Sequence, residues 1–152
     1  MKTLARPDCR AEIARRLRTL QPDAARRWGR MTAPQMVCHL GDACRMATGE
    51  KPVQMVPPPR FGRTLLKYVV LYAPVRWPEG VPTTFELDQE CAGTRPADFA
   101  ADLAAVERLL EALSRREAAG WPAHPIFGRM SRAQWLRWAY LHTDHHLRQF
   151  GA

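Results

Sequence analysis

The chain has 152 residues, 46% of them hydrophobic and 25% charged, the size of one globular domain with enough apolar material for its own core. The net charge is +8, carried almost wholly by arginines scattered in short groups without interleaved aromatics, a pattern that argues against a nucleic-acid partner. No apolar run is long enough to span a membrane or follows the N-terminus as a signal peptide would, so a cytoplasmic location is expected.

In chain order, the spacing of Ile13, Leu17 and Leu20 predicts a first helix from about Cys9 to Leu20, capped by Asp8 and ended by Pro22. A second helix is predicted from Ala33 to about Thr48. Thr32 and Gln35 form a T-x-x-Q capping box before it, and Gly49 stops it. Met36, Leu40, Ala43 and Ala47 give its buried stripe, and His39 falls on the same side. A stiff, extended connector is expected over Pro52 to Pro59, built on Pro57-Pro58-Pro59. The third helix, about Gly62 to Ala73, is apolar almost all round, which predicts burial on most sides or a subunit interface. Pro74, Pro78 and Pro82 then open a second long connector, in which Thr83–Leu87 could form a short strand, although no partner strand is evident for it. Phe99, Leu103, Val106, Leu110 and Leu113 alternate spacings of four and three, the seam of a fourth, bundle-forming helix that Gly120 closes. Ser131 and Gln134 make a second capping box, at the start of a closing helix.

The two capping boxes belong to one repeated pattern. Gly29-Arg-Met-Thr-Ala-Pro-Gln35 and Gly128-Arg-Met-Ser-Arg-Ala-Gln134 share G-R-M-[S/T]-x-x-Q, each after an aromatic, Trp28 or Phe127. The pattern sets similar starts on the two helices that carry histidines.

The chemistry concentrates on those helices. His142 and His146 are one turn apart on the side of the closing helix opposite Arg137, Asp144 and Arg148. Two buried imidazoles on one arc need a shared partner, and a divalent metal held by neutral nitrogens is the simplest. His39, on a buried face of another helix, completes a three-histidine set with positions left open for water or substrate. Gln149, one turn beyond His145 and His146, is placed to hold a ligand or a bound water, and Asp42, three residues after His39, to orient that imidazole. His145 stands at the edge of the buried arc, a plain boundary residue before it is one behind the ligands or lining the pocket. Trp135, Trp138 and Met36 are candidates for its walls. His124, between two prolines, reads as structural or solvent-facing. Cys9, Cys38, Cys44 and Cys91 form no C-x-x-C pair, and there is no glycine-rich phosphate loop, G-x-S-x-G or H-E-x-x-H.

These residues together resemble a known family. Trp28-Gly29-x-Met31-x-x-x-Gln35-Met36-x-x-His39, His124-Pro125-x-Phe127-Gly128, and Gln134-Trp135 followed by His142-x-x-His145-His146-x-x-Gln149-Phe150-Gly151 are similar to the DinB/YfiT-like superfamily. The nearest likeness is to its branch of domains of unknown function ending in H-x-x-H-H-x-x-Q-F-G. The resemblance implies an all-α fold, a four-helix bundle, here with an additional short N-terminal helix and long proline-rich connectors. It implies a divalent ion, nickel, zinc or similar, on His39, His142 and His146, and frequent homodimers. Superfamily members include transferases that use a low-molecular-weight thiol. The function expected is therefore a metal-dependent thiol transferase acting on a small-molecule substrate. A metal-dependent hydrolase and a non-enzymatic, stress-related metal-binding bundle are the alternatives.

Overall fold

The computed structural model describes residues 1–54, 60–117 and 120–152. The heart of the proline-rich connector, residues 55–59, lies outside them. Among the described residues the fold is all-helical: α1 (Pro7–Thr19), α2 (Ala33–Thr48), α3 (Arg60–Tyr72), α4 (Phe99–Arg115) and α5 (Arg132–Gln149), with one 3-10 turn at Phe85–Leu87. No helix among these residues is long and apolar enough to cross a membrane.

The capping chemistry read from the sequence sets both histidine-bearing helices. Thr32 and Ser131 each accept the backbone N–H three residues on, and Gln35 and Gln134 reach back to the cap N–H, closing both boxes. The glycines that open the two G-R-M segments both take positive φ, +72° at Gly29 and +66° at Gly128, so the repeated sequence is a repeated backbone device. α1 begins earlier than expected. Pro7 occupies its first turn, where a missing N–H costs nothing, and Arg6 is the cap residue. Asp8 pairs with Arg6 at 2.7 Å instead of capping.

α2 packs most extensively on α4, while α5 touches all four other helices. Ile13 and Leu17 of α1, Met36 and Leu40 of α2, Leu113 of α4 and Trp135 of α5 are almost completely enclosed. Each such side chain contributes about 1.5–3 kcal/mol by leaving water. Even the polar side of α5 is engaged: Arg16 meets Asp144 at 2.6 Å, and Arg137 donates to the Leu71 carbonyl at 2.7 Å.

Three expectations change. The N-terminal helix is no appendage, because Cys9, Ile13 and Leu17 give it a buried stripe that seats it on α4 and α5. The outlying helix is α3, which among the described residues packs on no helix but α5. Nor is α3 buried on most sides. Leu71 is enclosed, but Leu65, Leu66, Tyr68, Val69 and Tyr72 are exposed, and Arg63 and Lys67 turn inward. Lys67 donates to the Arg129 carbonyl at 3.0 Å, and the Arg63 guanidinium lies against Gly128, where a Cβ would come within 2.9 Å of it. Lastly, Thr83–Leu87 forms no strand. With no strand among the described residues to pair with, it coils into the 3-10 turn, whose Leu87 N–H bonds the Thr84 carbonyl.

Candidate metal centre

His39 comes from the middle of α2; His142 and His146 come from adjacent turns of α5. One nitrogen from each lies within 4.8 Å of the others. The rings stand 4.7–5.1 Å apart, centre to centre. His39 and His146 are buried and His142 is partly exposed.

The hydrogen bonds fix which nitrogens face the centre. His39 Nδ1 is 2.9 Å from the Leu87 carbonyl, which can only accept, so Nδ1 carries the proton and Nε2 an open lone pair. Gln149 donates through Nε2 to the Trp28 carbonyl at 2.8 Å, which sets the amide with Oε1 toward His146. That oxygen accepts from His146 Nδ1 at 2.9 Å, leaving the second Nε2 lone pair free. His39 Nε2 and His142 Nε2 are 3.2 Å apart. Without a metal, His142 must be the donor in that contact; a cation between them would take the place of its proton. Trp138 stacks on His142 at 4.7 Å with the planes 12° apart and holds that ring from behind.

The charge state agrees. Burial, then the neighbouring imidazoles, push His142 and His146 well below the ordinary histidine range. Burial also lowers His39, against the opposing pull of the Leu87 carbonyl. All three are neutral at pH 7, the form that binds a metal. Three neutral nitrogen donors around one point, two of them braced from behind, fit a divalent cation, and these histidines can hold one metal ion.

The remaining sequence candidates fall at different distances from this point. Gln149 is directly behind His146, as described. Gly29 makes room for it, since a Cβ there would lie 2.7 Å from Gln149 Nε2. His145 is half-buried and makes ring contacts with Trp28, Trp77 and His146. Trp135 is one layer removed, against Trp121, His124 and Trp138, and Met36 is wholly enclosed in the core. Asp42 does not orient His39. Its carboxylate is fully enclosed and holds the connector instead. It accepts from Thr94 N and Oγ1 at 2.7 Å each and from Gln89 Nε2 at 3.3 Å, and it pairs with Lys51 at 3.2 Å and Arg45 at 3.4 Å. The expectation missed the Leu87 carbonyl, because a backbone acceptor leaves no mark in the sequence. It also passed over Trp77, whose only signal is an aromatic set before Pro78 in a connector.

The family described as "Protein of unknown function (DUF1569)" matches residues 4–152. The chain belongs to the DUF1569 family. Neither the curated proteins nor the solved structures include a match. All three histidines and their bracing groups lie within the matched span.

His124 is buried and structural, not solvent-facing. Its Nδ1 accepts from the N–H groups of Ile126 and Phe127 at 3.1 and 3.3 Å, and its backbone pairs with Gly128. Burial pulls its pKa down to about 3, and the two N–H groups aimed at Nδ1 oppose a proton there. Unfolding restores a value near about 6.5. Between the two the unfolded chain takes up a proton that the folded chain refuses, so this residue's stabilising effect is full above about pH 6.5 and declines toward pH 3, by about 1.4 kcal/mol per pH unit. Urea unfolding of chelator-treated protein at pH 7, 6 and 5 checks this. His124→Asn should lose stability less steeply on acidification; parallel curves would show that His124 does not titrate on unfolding.

Proposed function

We propose that this DUF1569 chain is a divalent-metal-dependent transferase that uses a low-molecular-weight thiol against a small electrophilic substrate in the cytoplasm. The ligands are His39, His142 and His146, holding zinc, nickel or a similar ion. α1, α2, α4 and α5 make a four-helix bundle of the DinB/YfiT-like kind, with α3 outside it. The observation that carries this reading is the pair of fixed tautomers. The Leu87 carbonyl and the Gln149 amide each claim an Nδ1–H, so the Nε2 lone pairs of His39 and His146 point at one place.

When bound, a divalent ion at this place supplies Lewis acidity, making a thiol or a water more acidic near neutral pH. The chain's own part is to present three neutral donors, to keep two of them from rotating and to leave His142 partly exposed. Among the described residues the cluster has three members and no fourth ligand, which favours a reactive centre over a closed structural one. In the transfer, the thiol sulfur forms a C–S bond to the electrophilic carbon. The leaving group departs with its electron pair, and the thiol proton passes to solvent.

The test is thioether formation from several thiols and an alkyl halide, with zinc- or nickel-loaded protein. Conjugation above background that disappears on chelation is expected. Metal-dependent hydrolysis of an ester probe without conjugation would instead make it a hydrolase, and neither activity would leave a metal-binding bundle.

A homodimer through α3 belongs to the same reading. Leu65, Leu66, Tyr68, Val69 and Tyr72 form an apolar strip without an ionisable carboxylate, ammonium or guanidinium, which another copy can cover without burying unpaired charge. Sedimentation should give a dimer, and Leu65→Glu with Tyr68→Glu a monomer of unchanged metal content. A monomeric wild-type chain would remove the dimer and leave the metal centre untouched.

A further inference from the structure

The histidine cluster has aromatic neighbours from outside the bundle. Trp28 precedes α2 and Trp77 follows α3, yet both meet at His145. Their ring centres lie 5.6 and 6.0 Å from its imidazole. Trp77 also reaches His142, at 6.3 Å. Both indoles are half-buried. Each is tethered, Trp77 by its indole to α3 and Trp28 by its backbone to α5. The Trp77 N–H donates to the Val70 carbonyl at 3.0 Å, and the Trp28 carbonyl accepts from Gln149. Trp138 also stacks on His142.

His145 packs against both indoles. Its Nδ1 is shielded from solvent and has no hydrogen-bond partner among the described residues. A core histidine is normally satisfied. Here the unsatisfied nitrogen belongs to a ring that packs on the buried ligand His146 and on two indoles that solvent still reaches.

We infer that Trp28, Trp77 and His145 form the organic subsite of the metal centre, and that its ligand is a small molecule with an uncharged aromatic or flat apolar body and a soft donor atom directed at the cluster. The inference rests on the metal-binding reading and names the substrate class for that site. Indole faces favour an offset-stacked or edge-on aromatic partner. A cationic body is disfavoured, because a bound divalent ion would repel it. The donor atom faces the His142 side, while the unpartnered His145 nitrogen takes one hydrogen bond from the ligand or gives one to it. His145 is thus a positioning group, not a metal ligand.

The experiment uses cobalt(II)-loaded full-length chain and follows the cobalt absorption during titration with two alkyl thiols, benzyl mercaptan and 2-mercaptoethanol. Benzyl mercaptan should bind about tenfold or more tightly than 2-mercaptoethanol. Trp77→Ala should abolish that preference while leaving cobalt stoichiometry and 2-mercaptoethanol affinity unchanged, and Trp77→Phe should restore most of it. His145→Phe should keep cobalt and weaken both thiols alike. Equal affinities in the wild-type chain, or a preference that survives Trp77→Ala, would overturn the subsite while the metal centre stands. A chain that takes up no cobalt would overturn both.

Discussion

Replacing His142 with alanine removes stoichiometric metal binding. Disturbing a group behind a ligand typically weakens affinity by about 10–100-fold, and losing a ligand outright exceeds that range. His142 is the best position for this test, because it is the partly exposed member of the cluster and its loss disturbs packing least. Its main neighbour is Trp138, stacked behind it, so the variant should fold with α5 in place. Isothermal titration with zinc, beside circular dichroism to confirm helicity, measures the effect. An affinity within a factor of a few of wild type, in a folded variant, would mean that the ligand set is wrong.

Asp42→Ala acts on the same centre from a distance. The carboxylate has no contact with His39, yet it ties Gln89 and Thr94 to α2. Those residues follow the 3-10 turn whose Leu87 carbonyl holds His39 Nδ1. Breaking a buried ion pair on one side costs about 3–5 kcal/mol. The low end applies here, because Lys51 and Arg45 are partly solvated and can rehydrate. A loss of about 3 kcal/mol lowers Tm by roughly 6–12 °C in a chain of this size. In the folded variant at low temperature, zinc affinity should fall by about tenfold or more as the Leu87 carbonyl loses its fixed position. Thr94→Val, which removes one of the two short Thr94 bonds, should give a smaller effect of the same kind. A destabilised Asp42→Ala protein with unaltered zinc affinity would show that the connector does not support His39.

The sequence was most legible where chemistry is local. α2 has the boundaries that its capping box and stop glycine predict, and Ser131 and Gln134 set the start of α5 in the same way. The histidine cluster was readable because helical spacing placed His142 and His146 on one arc and His39 on a matching face. Long-range consequences were not readable. Nothing in the apolar pattern of α3 says that Arg63 and Lys67 would face the body and Leu65 the solvent. That orientation follows from carbonyl and backbone positions across α5 and its leading turn. Asp42 was assigned to the nearest imidazole in sequence, whereas its partners are Gln89 and Thr94, about fifty residues away. Trp77 was passed over because a connector has no periodicity to mark which side chain returns to the site.

The proposed centre is one metal ion held by three histidines of this chain. Metal analysis of protein purified without a histidine tag, then loaded with zinc or nickel and desalted, tests it most directly. One set of three ligands predicts about one ion per chain. No retained ion after loading, with the helices intact, would contradict the account and leave His39, His142 and His146 as buried, hydrogen-bonded core residues.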